Sequence, residues 1–232
     1  MPIISLTTIP SRLEQGIQPT LESLSTQGYD VYLWIPKYFK RKGIKFNGNI
    51  PSYIKKLGIK YNVVEDNGSI TKLYPALSLN SNLIITADDD VIYPQSWASN
   101  LTKAYNDNPG KAYCYRGRIF KPHTQEYRRT TLIRNKAEPR EVDIITGVWG
   151  ALYHKKFFGN MPLPSQNKPE YFVDDIWISG HLAEQKIKRI CLPNPGIQTG
   201  NNHKIDSLTR INWKLKNTNN TEVIKKFRWY AT

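Results

Sequence analysis

The chain has 232 residues, 39% of them apolar and 22% charged, which suits one globular domain, or at most two small ones, around a core of ordinary size. That composition excludes a wholly disordered chain and a collagen-like repeat, and no run approaches the roughly 18 apolar residues of a transmembrane helix. Lys plus Arg number 33 against 19 Asp plus Glu, a formal net charge of +14, which favours anionic partners: nucleic acid, a phosphorylated ligand or an acidic membrane surface.

Ile3 to Leu6 predicts a short buried strand rather than a signal peptide, because a basic n-region and a long apolar stretch are missing. Thr7-Thr8-Ile9-Pro10 ends it as a loop. Ser11 and Glu14 have capping-box spacing. Leu13, Ile17, Leu21 and Leu24 mark one helix face, which Pro19 breaks or restarts. Val31–Ile35 and Ile59–Val64 read as strands, Asp66-Asn67-Gly68 as a turn, and Thr71–Leu79 as a helix. Leu83–Ala87 is a continuous apolar run of the buried, parallel type, and Asp88-Asp89-Asp90 follows it directly.

Ser96–Tyr105 reads as a helix closed by Asn106-Asp107-Asn108-Pro109-Gly110. Beyond it the pattern is less regular. Ala112–Tyr115, Arg118–Phe120 and Arg129–Ile133 are candidate strands, Asp174–Gln185 a helix, and Ile187–Leu192 a last strand. Alternating strands and helices up to Tyr105 predict an α/β fold with a mostly parallel central sheet flanked by helices. No repeat or linker is visible. Residues 1–200 therefore read as a single domain, with a first half of about 1–110 and a smaller, irregular half of about 111–200. Residues 201–232 read as a basic extension packed on the domain.

The charge is clustered. Lys37 to Lys60 holds eight basic residues and no acidic one, and Lys111 to Arg140 nine basic and two acidic. Carboxylates gather instead at Asp88–Asp90 and Asp174-Asp175. Cys114 and Cys191 are too few for a disulfide framework or an unaided zinc site, and fit a reducing, cytoplasmic setting.

Ligands of open α/β sheets bind beyond the carboxyl ends of the strands. Three aspartates at such an end repel one another unless a cation or hydrogen-bond donors compensate. In an extended segment Asp88 and Asp90 project to the same side, and such a pair suits a hard cation, Mn²⁺ or Mg²⁺, completed by diphosphate oxygens and water. The alternative is a solvated acidic turn. Asp174-Asp175 opens a helix; one aspartate can cap it while the other faces a ligand. Thr146-Gly147-Val148-Trp149-Gly150 lets backbone approach a ligand closely. Trp149 then either stacks on a sugar face or is simply buried.

The order of these segments resembles the GT-A glycosyltransferases, which use nucleotide-diphosphate sugars. Their hallmark is an Asp-x-Asp (DXD) motif after an apolar strand, here Asp88 to Asp90. A Gly-rich loop with an aromatic follows, here Gly147 to Tyr153, and then an acidic pair at a helix start, here Asp174-Asp175. Ser5-Leu6-Thr7-Thr8-Ile9-Pro10-Ser11-Arg12 looks like the first strand and nucleotide loop of the class, and Asp66 to Leu73 like a donor-site segment. The likeness covers about residues 3–195. Compact size makes the chain similar to the small soluble enzymes of large algal viruses, which implies a viral protein acting in a host cytoplasm.

The resemblance implies a nucleotide-binding half (1–110) and an acceptor-side half (111–200). Asp90 would bind the metal directly, and Asp88 the metal or the ribose. Thr8, Arg12, Asp66 and Asp89 would lie near the nucleoside and donor. Lys72 would pair with donor phosphate or base, and Trp149 and Gly150 would border the sugar. His203 would be a third metal ligand. Asp175 would be the base of an inverting transfer, with Asp174 as its neighbour in the catalytic pair. The implied partners are a nucleotide-diphosphate sugar, a UDP-sugar in the first instance, and a glycan or glycoconjugate acceptor. The Lys111–Arg140 region, with Arg128 and Arg129, is expected to help hold that acceptor.

Two other classes share some of these features. A nucleotidyltransferase also pairs carboxylates on a metal, but its Gly-rich phosphate loop is missing from Thr7–Arg12. A nucleic-acid-binding protein would fit +14 and 12% aromatic residues, yet no RRM, KH, zinc-finger or helix-turn-helix signature occurs. Nucleic acid is therefore not an expected partner, whereas a basic surface also suits a phosphorylated acceptor or peripheral contact with lipid headgroups.

Overall fold

A computed structural model describes residues 1–134, 137–166, 168–199 and 218–229. The first half alternates as its apolar spacing requires. β1 (Ile3–Thr7), α1 (Pro10–Gln15) and α2 (Gln18–Ser25) lead to β2 (Asp30–Pro36). A small hairpin of β3 (Tyr38–Phe39) and β4 (Ile44–Lys45) follows, then α3 (Ser52–Lys56), β5 (Lys60–Val64), β6 (Leu83–Ala87), β7 (Val91–Ile92) and α4 (Trp97–Asp107). The second half holds β8 (Ala112–Cys114), β9 (Gly117–Phe120), β10 (Thr130–Ile133), β11 (Arg140–Glu141), β12 (Ile144–Ile145) and β13 (Ala151–His154). It ends with α5 (Asp174–Glu184), β14 (Arg189–Cys191), β15 (Gln198–Thr199) and α6 (Thr218–Ile224).

Eight strands form the main sheet in the order β11-β14-β8-β13-β6-β1-β2-β5. β6, β1, β2 and β5 run parallel, as the alternation predicts. β14 is likewise parallel to β8, whereas β13 enters antiparallel to both β6 and β8 and β11 antiparallel to β14, so the sheet is mixed with parallel pairings in the majority. β10-β9-β12 make a separate antiparallel sheet. Ile4, Leu6, Leu33, Ile35, Ile84 and Ile85 are wholly buried along the central strands, and each such side chain contributes about 1.5–3 kcal/mol of transfer free energy.

Two local expectations are corrected. The first helix begins at Pro10, with Ile9 as N-cap and no side-chain cap, so Ser11 and Glu14 form no capping box. Proline at the first helical position makes that start favourable because its missing N–H has no helical partner there. Thr71–Leu79 is not an α-helix but two successive 3₁₀ turns, Gly68–Lys72 and Tyr74–Ser78. Pro75 in the second turn cannot donate an α-type hydrogen bond. The break between α1 and α2 falls at Gly16-Ile17, and Pro19 sits inside the first turn of α2.

The described part of the C-terminal extension packs on the domain. Phe227 lies 5.3 Å from the Trp177 ring and 5.0 Å from His181. A Cβ on Gly180 would fall 2.2 Å from Phe227, so α5 needs glycine at this crossing. Lys226 pairs with buried Glu170 at 2.6 Å. Among the described residues no helix is long and apolar enough to cross a membrane.

Candidate functional site

The parallel ladder places the chain beyond β1 beside the chain beyond β6, because Leu6 is in register with Ala87. Asp89 turns inward and is buried. Its Oδ2 accepts a hydrogen bond from Thr8 Oγ1 at 2.6 Å, and its Oδ1 accepts from Arg12. Burial raises the Asp89 carboxyl above its ordinary pKa, while Arg12 and Thr8 pull the other way. Asp89 therefore fixes the loop. Asp88 and Asp90 lie to either side and are less buried. Asp90 Oδ2 is 3.3 Å from Arg12, and the Asp88 N–H donates to the Tyr93 hydroxyl at 2.8 Å.

Lys72 reaches the same point from the 3₁₀ turn. Its carbonyl accepts from Ser5 Oγ at 2.5 Å, and Trp34 Nε1 donates to that hydroxyl at 2.8 Å, so β1 and β2 together anchor its backbone. The buried ammonium donates to Asp88 Oδ1 at 2.8 Å and lies 3.1 Å from Asp174 Oδ2. Burial opposes its charge, but Asp174 and Asp88 outweigh that and hold its pKa well above the ordinary value. Lys72 thus joins the two acidic segments that lie far apart in the chain.

The N-cap of α5 is Val173, and no side chain caps it, so Asp174 is not a capping residue. Both aspartates occupy the first helical turn, where the helix dipole favours negative charge. Asp175 Oδ1 accepts from the Gly147 N–H at 2.9 Å. A Cβ at Gly147 would lie 3.0 Å from that oxygen and 3.2 Å from Lys72 Nζ, so glycine is what admits the carboxylate and the ammonium together. Burial, and then the charge of Asp174, push the Asp175 carboxyl up to about 7. Among the described residues Oδ2 of Asp175 receives no hydrogen bond.

The remaining predicted residues sit around this cluster. Trp149 is buried; its carbonyl accepts from Trp97 Nε1 at 2.8 Å, and the Arg116 guanidinium lies 5.7 Å from its ring centre. Gly150 has φ +89°, and a Cβ there would meet the Trp97 ring at 2.3 Å. Asp66 does not join the other carboxylates. It is buried at the end of β5 and accepts from the backbone N–H groups of Lys40 at 2.9 Å and Gly68 at 2.8 Å, shaping the turn that delivers Lys72. His203 lies outside the described residues. His154 is paired with Leu83, at the opposite end of β6 from Asp88, and His181 packs among Trp177 and Phe227, so both are structural.

Arg128 and Arg129 are exposed, and Arg129 pairs with Glu126 at 3.4 Å. Besides Arg12, the arginine beside the site is Arg116, over the Trp149 ring, with Arg118 two residues further on; neither Arg116 nor Arg118 stood out individually in the sequence. Their alternate spacing, which puts both on one face of an extended segment, was the available signal. Tyr93 and the Gly147 N–H were also missed as individual groups.

Asp88 and Asp90 have the right chemistry for a hard divalent cation: carboxylate oxygens at a strand end, each still partly open to solvent. Among the described residues no group of three or more His, Cys, Asp or Glu side chains is arranged to hold a metal ion. Mg²⁺-type sites commonly use only one or two carboxylates, with substrate phosphates supplying the rest, and these residues fit that pattern. The fold and site thus define an α/β protein with a carboxylate–lysine–arginine cluster at the carboxyl end of its central parallel strands. No protein-family model matches the chain, and no curated protein matches it.

Proposed function

We propose that the chain is a metal-dependent, GT-A-like glycosyltransferase. It would move a sugar from a nucleotide-diphosphate donor, in the first instance a UDP-sugar, to a hydroxyl of a glycan acceptor with inversion. The observation that carries this reading is the meeting of Asp88–Asp90 with Asp174-Asp175 around Lys72. A cytoplasmic setting belongs to the same reading, in keeping with two cysteines that remain thiols.

A divalent cation held by Asp88 and Asp90 would supply Lewis-acid neutralisation of the departing diphosphate. Arg12 and Lys72 add fixed positive charge at that end of the sheet, and Asp89 with Thr8 holds the loop in place. Asp175 faces a different task. Its Oδ1 is pinned by the Gly147 N–H, which leaves Oδ2 to take the proton of an attacking hydroxyl. A carboxyl poised at about 7 is a better base at neutral pH than an ordinary aspartate, because its basicity and its ionised fraction are both substantial there.

Titration calorimetry of UDP-, GDP- and TDP-sugars with and without Mn²⁺ tests the donor assignment. One of them should bind, and EDTA should weaken it strongly. Failure of every sugar nucleotide to bind, together with salt-dependent binding to random DNA, would overturn the reading in favour of a nucleic-acid-binding protein.

A further inference from the structure

Beside the carboxylate cluster lies a group of arginines that form no salt bridge among the described residues. Arg116 and Arg118 project from the same face of the extended segment that becomes β9. β10 runs antiparallel to β9 with Ile133 opposite Gly117, so Arg134 and Arg116 leave the same end of that strand pair, where their charges act on each other. Like charges held together repel. Burial, Arg118 and Arg134 all act against the charge of Arg116, whereas the negative charge of Asp175 favours it. Among the described residues none of the three makes an ion pair with a carboxylate.

The polar groups there are also incompletely used. Arg118 Nη1 donates to Thr130 Oγ1 at 2.8 Å and its guanidinium lies 4.5 Å from the Tyr127 ring centre. Its Nε, the Nε of Arg116 and Oγ1 of Thr146 are buried and have no hydrogen-bond partner among the described residues. Thr146 is tied to this segment by its N–H, which donates to the Arg116 carbonyl at 3.0 Å, and it directly precedes Gly147, the residue that holds Asp175. Buried donors without partners each cost about 1–3 kcal/mol, so a protein that keeps several together gains from a ligand that satisfies them.

We propose that Arg116 and Arg118, with Thr146, form a binding site for an oxyanion, phosphate or carboxylate, carried by the acceptor. Guanidinium forks match both groups in bidentate fashion. Repulsion between the arginines favours a charged ligand over a neutral one. The position beside Asp175 sets the acceptor hydroxyl near the base while the anion is held at a distance from the donor diphosphate. The acceptor is therefore an acidic glycan or a phosphorylated sugar rather than a neutral one. This assignment rests on the glycosyltransferase reading for the word acceptor, but the oxyanion site itself does not.

The test uses the full chain with glucose 6-phosphate, glucuronate and glucose as probes, and UDP as a separate donor-side probe. NMR of the arginine Nε–H groups should show the Arg116 and Arg118 signals shifting with the two anionic sugars and not with glucose. Arg118→Gln should weaken glucose 6-phosphate binding by about tenfold to a hundredfold, while UDP affinity stays within about twofold. Arg116→Lys, which keeps the charge over Trp149, should fold normally and lose the fork-dependent part of the affinity. No binding of either anionic sugar, equal binding in Arg118→Gln, or a parallel loss of UDP binding would each overturn the proposal. Anionic sugars that bind in this way to a chain that binds no sugar nucleotide would sink the glycosyltransferase reading and leave the oxyanion site standing. Transfer that is indifferent to acceptor charge would do the reverse.

Discussion

Asp175→Asn separates the proposed base from the fold that holds it. The amide keeps an oxygen for the Gly147 N–H, so the 2.9 Å hydrogen bond survives. What it removes is the ability to take a proton, a change that typically costs about 10²–10⁴ in rate. Donor affinity should stay near wild type. The stability effect has a definite sign. The folded carboxyl titrates at about 7 against an ordinary 3.8. Below pH 3.8 the residue is protonated in both states. As pH rises, the unfolded chain releases the proton first, so the native state loses stability up to the folded value. A rise of this size has a ceiling of about 4 kcal/mol, and the partial contact of Asp175 with water lowers the observed figure. Urea denaturation at pH 5 and pH 8 should therefore show Asp175→Asn gaining more on wild type at the higher pH. Wild-type transfer should rise with pH through about 7, because the base works ionised. A fully active Asp175→Asn enzyme, or a stability difference that ignores pH, would refute the reasoning.

Other substitutions probe the supporting groups. Asp90→Asn should abolish the Mn²⁺-dependent part of donor binding while leaving the circular dichroism spectrum unchanged; unchanged affinity in EDTA would count against the cation site. Lys72→Met removes the cation between Asp88 and Asp174 and should lower stability by about 3–5 kcal/mol, read by thermal denaturation at pH 7. Gly150→Ala forces a Cβ onto the Trp97 ring at a positive φ and should destabilise the fold by more than 1 kcal/mol; a wild-type melting temperature would show that the strand can shift.

Much of the first half was legible because its strands announce themselves. Leu83–Ala87 is an apolar run of the kind a strand covered on both faces requires, and it marked where the aspartates lie. The turn at Asp66–Gly68 was legible from its Asp and Gly, but the elements after it were not, since over a single turn a 3₁₀-helix and an α-helix both bring residues i and i+3 to one face. Local spacing also carries no record of which distant groups meet. Lys72 between Asp88 and Asp174 depends on tertiary packing across β1. The nearness of Arg116 and Arg134 depends on the pairing of a second sheet that no short motif announces. Arg128 and Arg129 drew attention by density of charge, yet density marks an exposed turn as readily as a site.

The central claim is that this cluster transfers a sugar from a nucleotide with inversion. The most direct measurement is an NMR time course with Mn²⁺, a UDP-sugar and an anionic glycan acceptor, recorded on ³¹P for the nucleotide and ¹H for the anomeric signal. Nucleoside diphosphate should be released and the product's anomeric configuration should be opposite to the donor's, with both lost in Asp175→Asn. Nucleoside diphosphate that never appears from any donor, or a product with retained configuration, would contradict it.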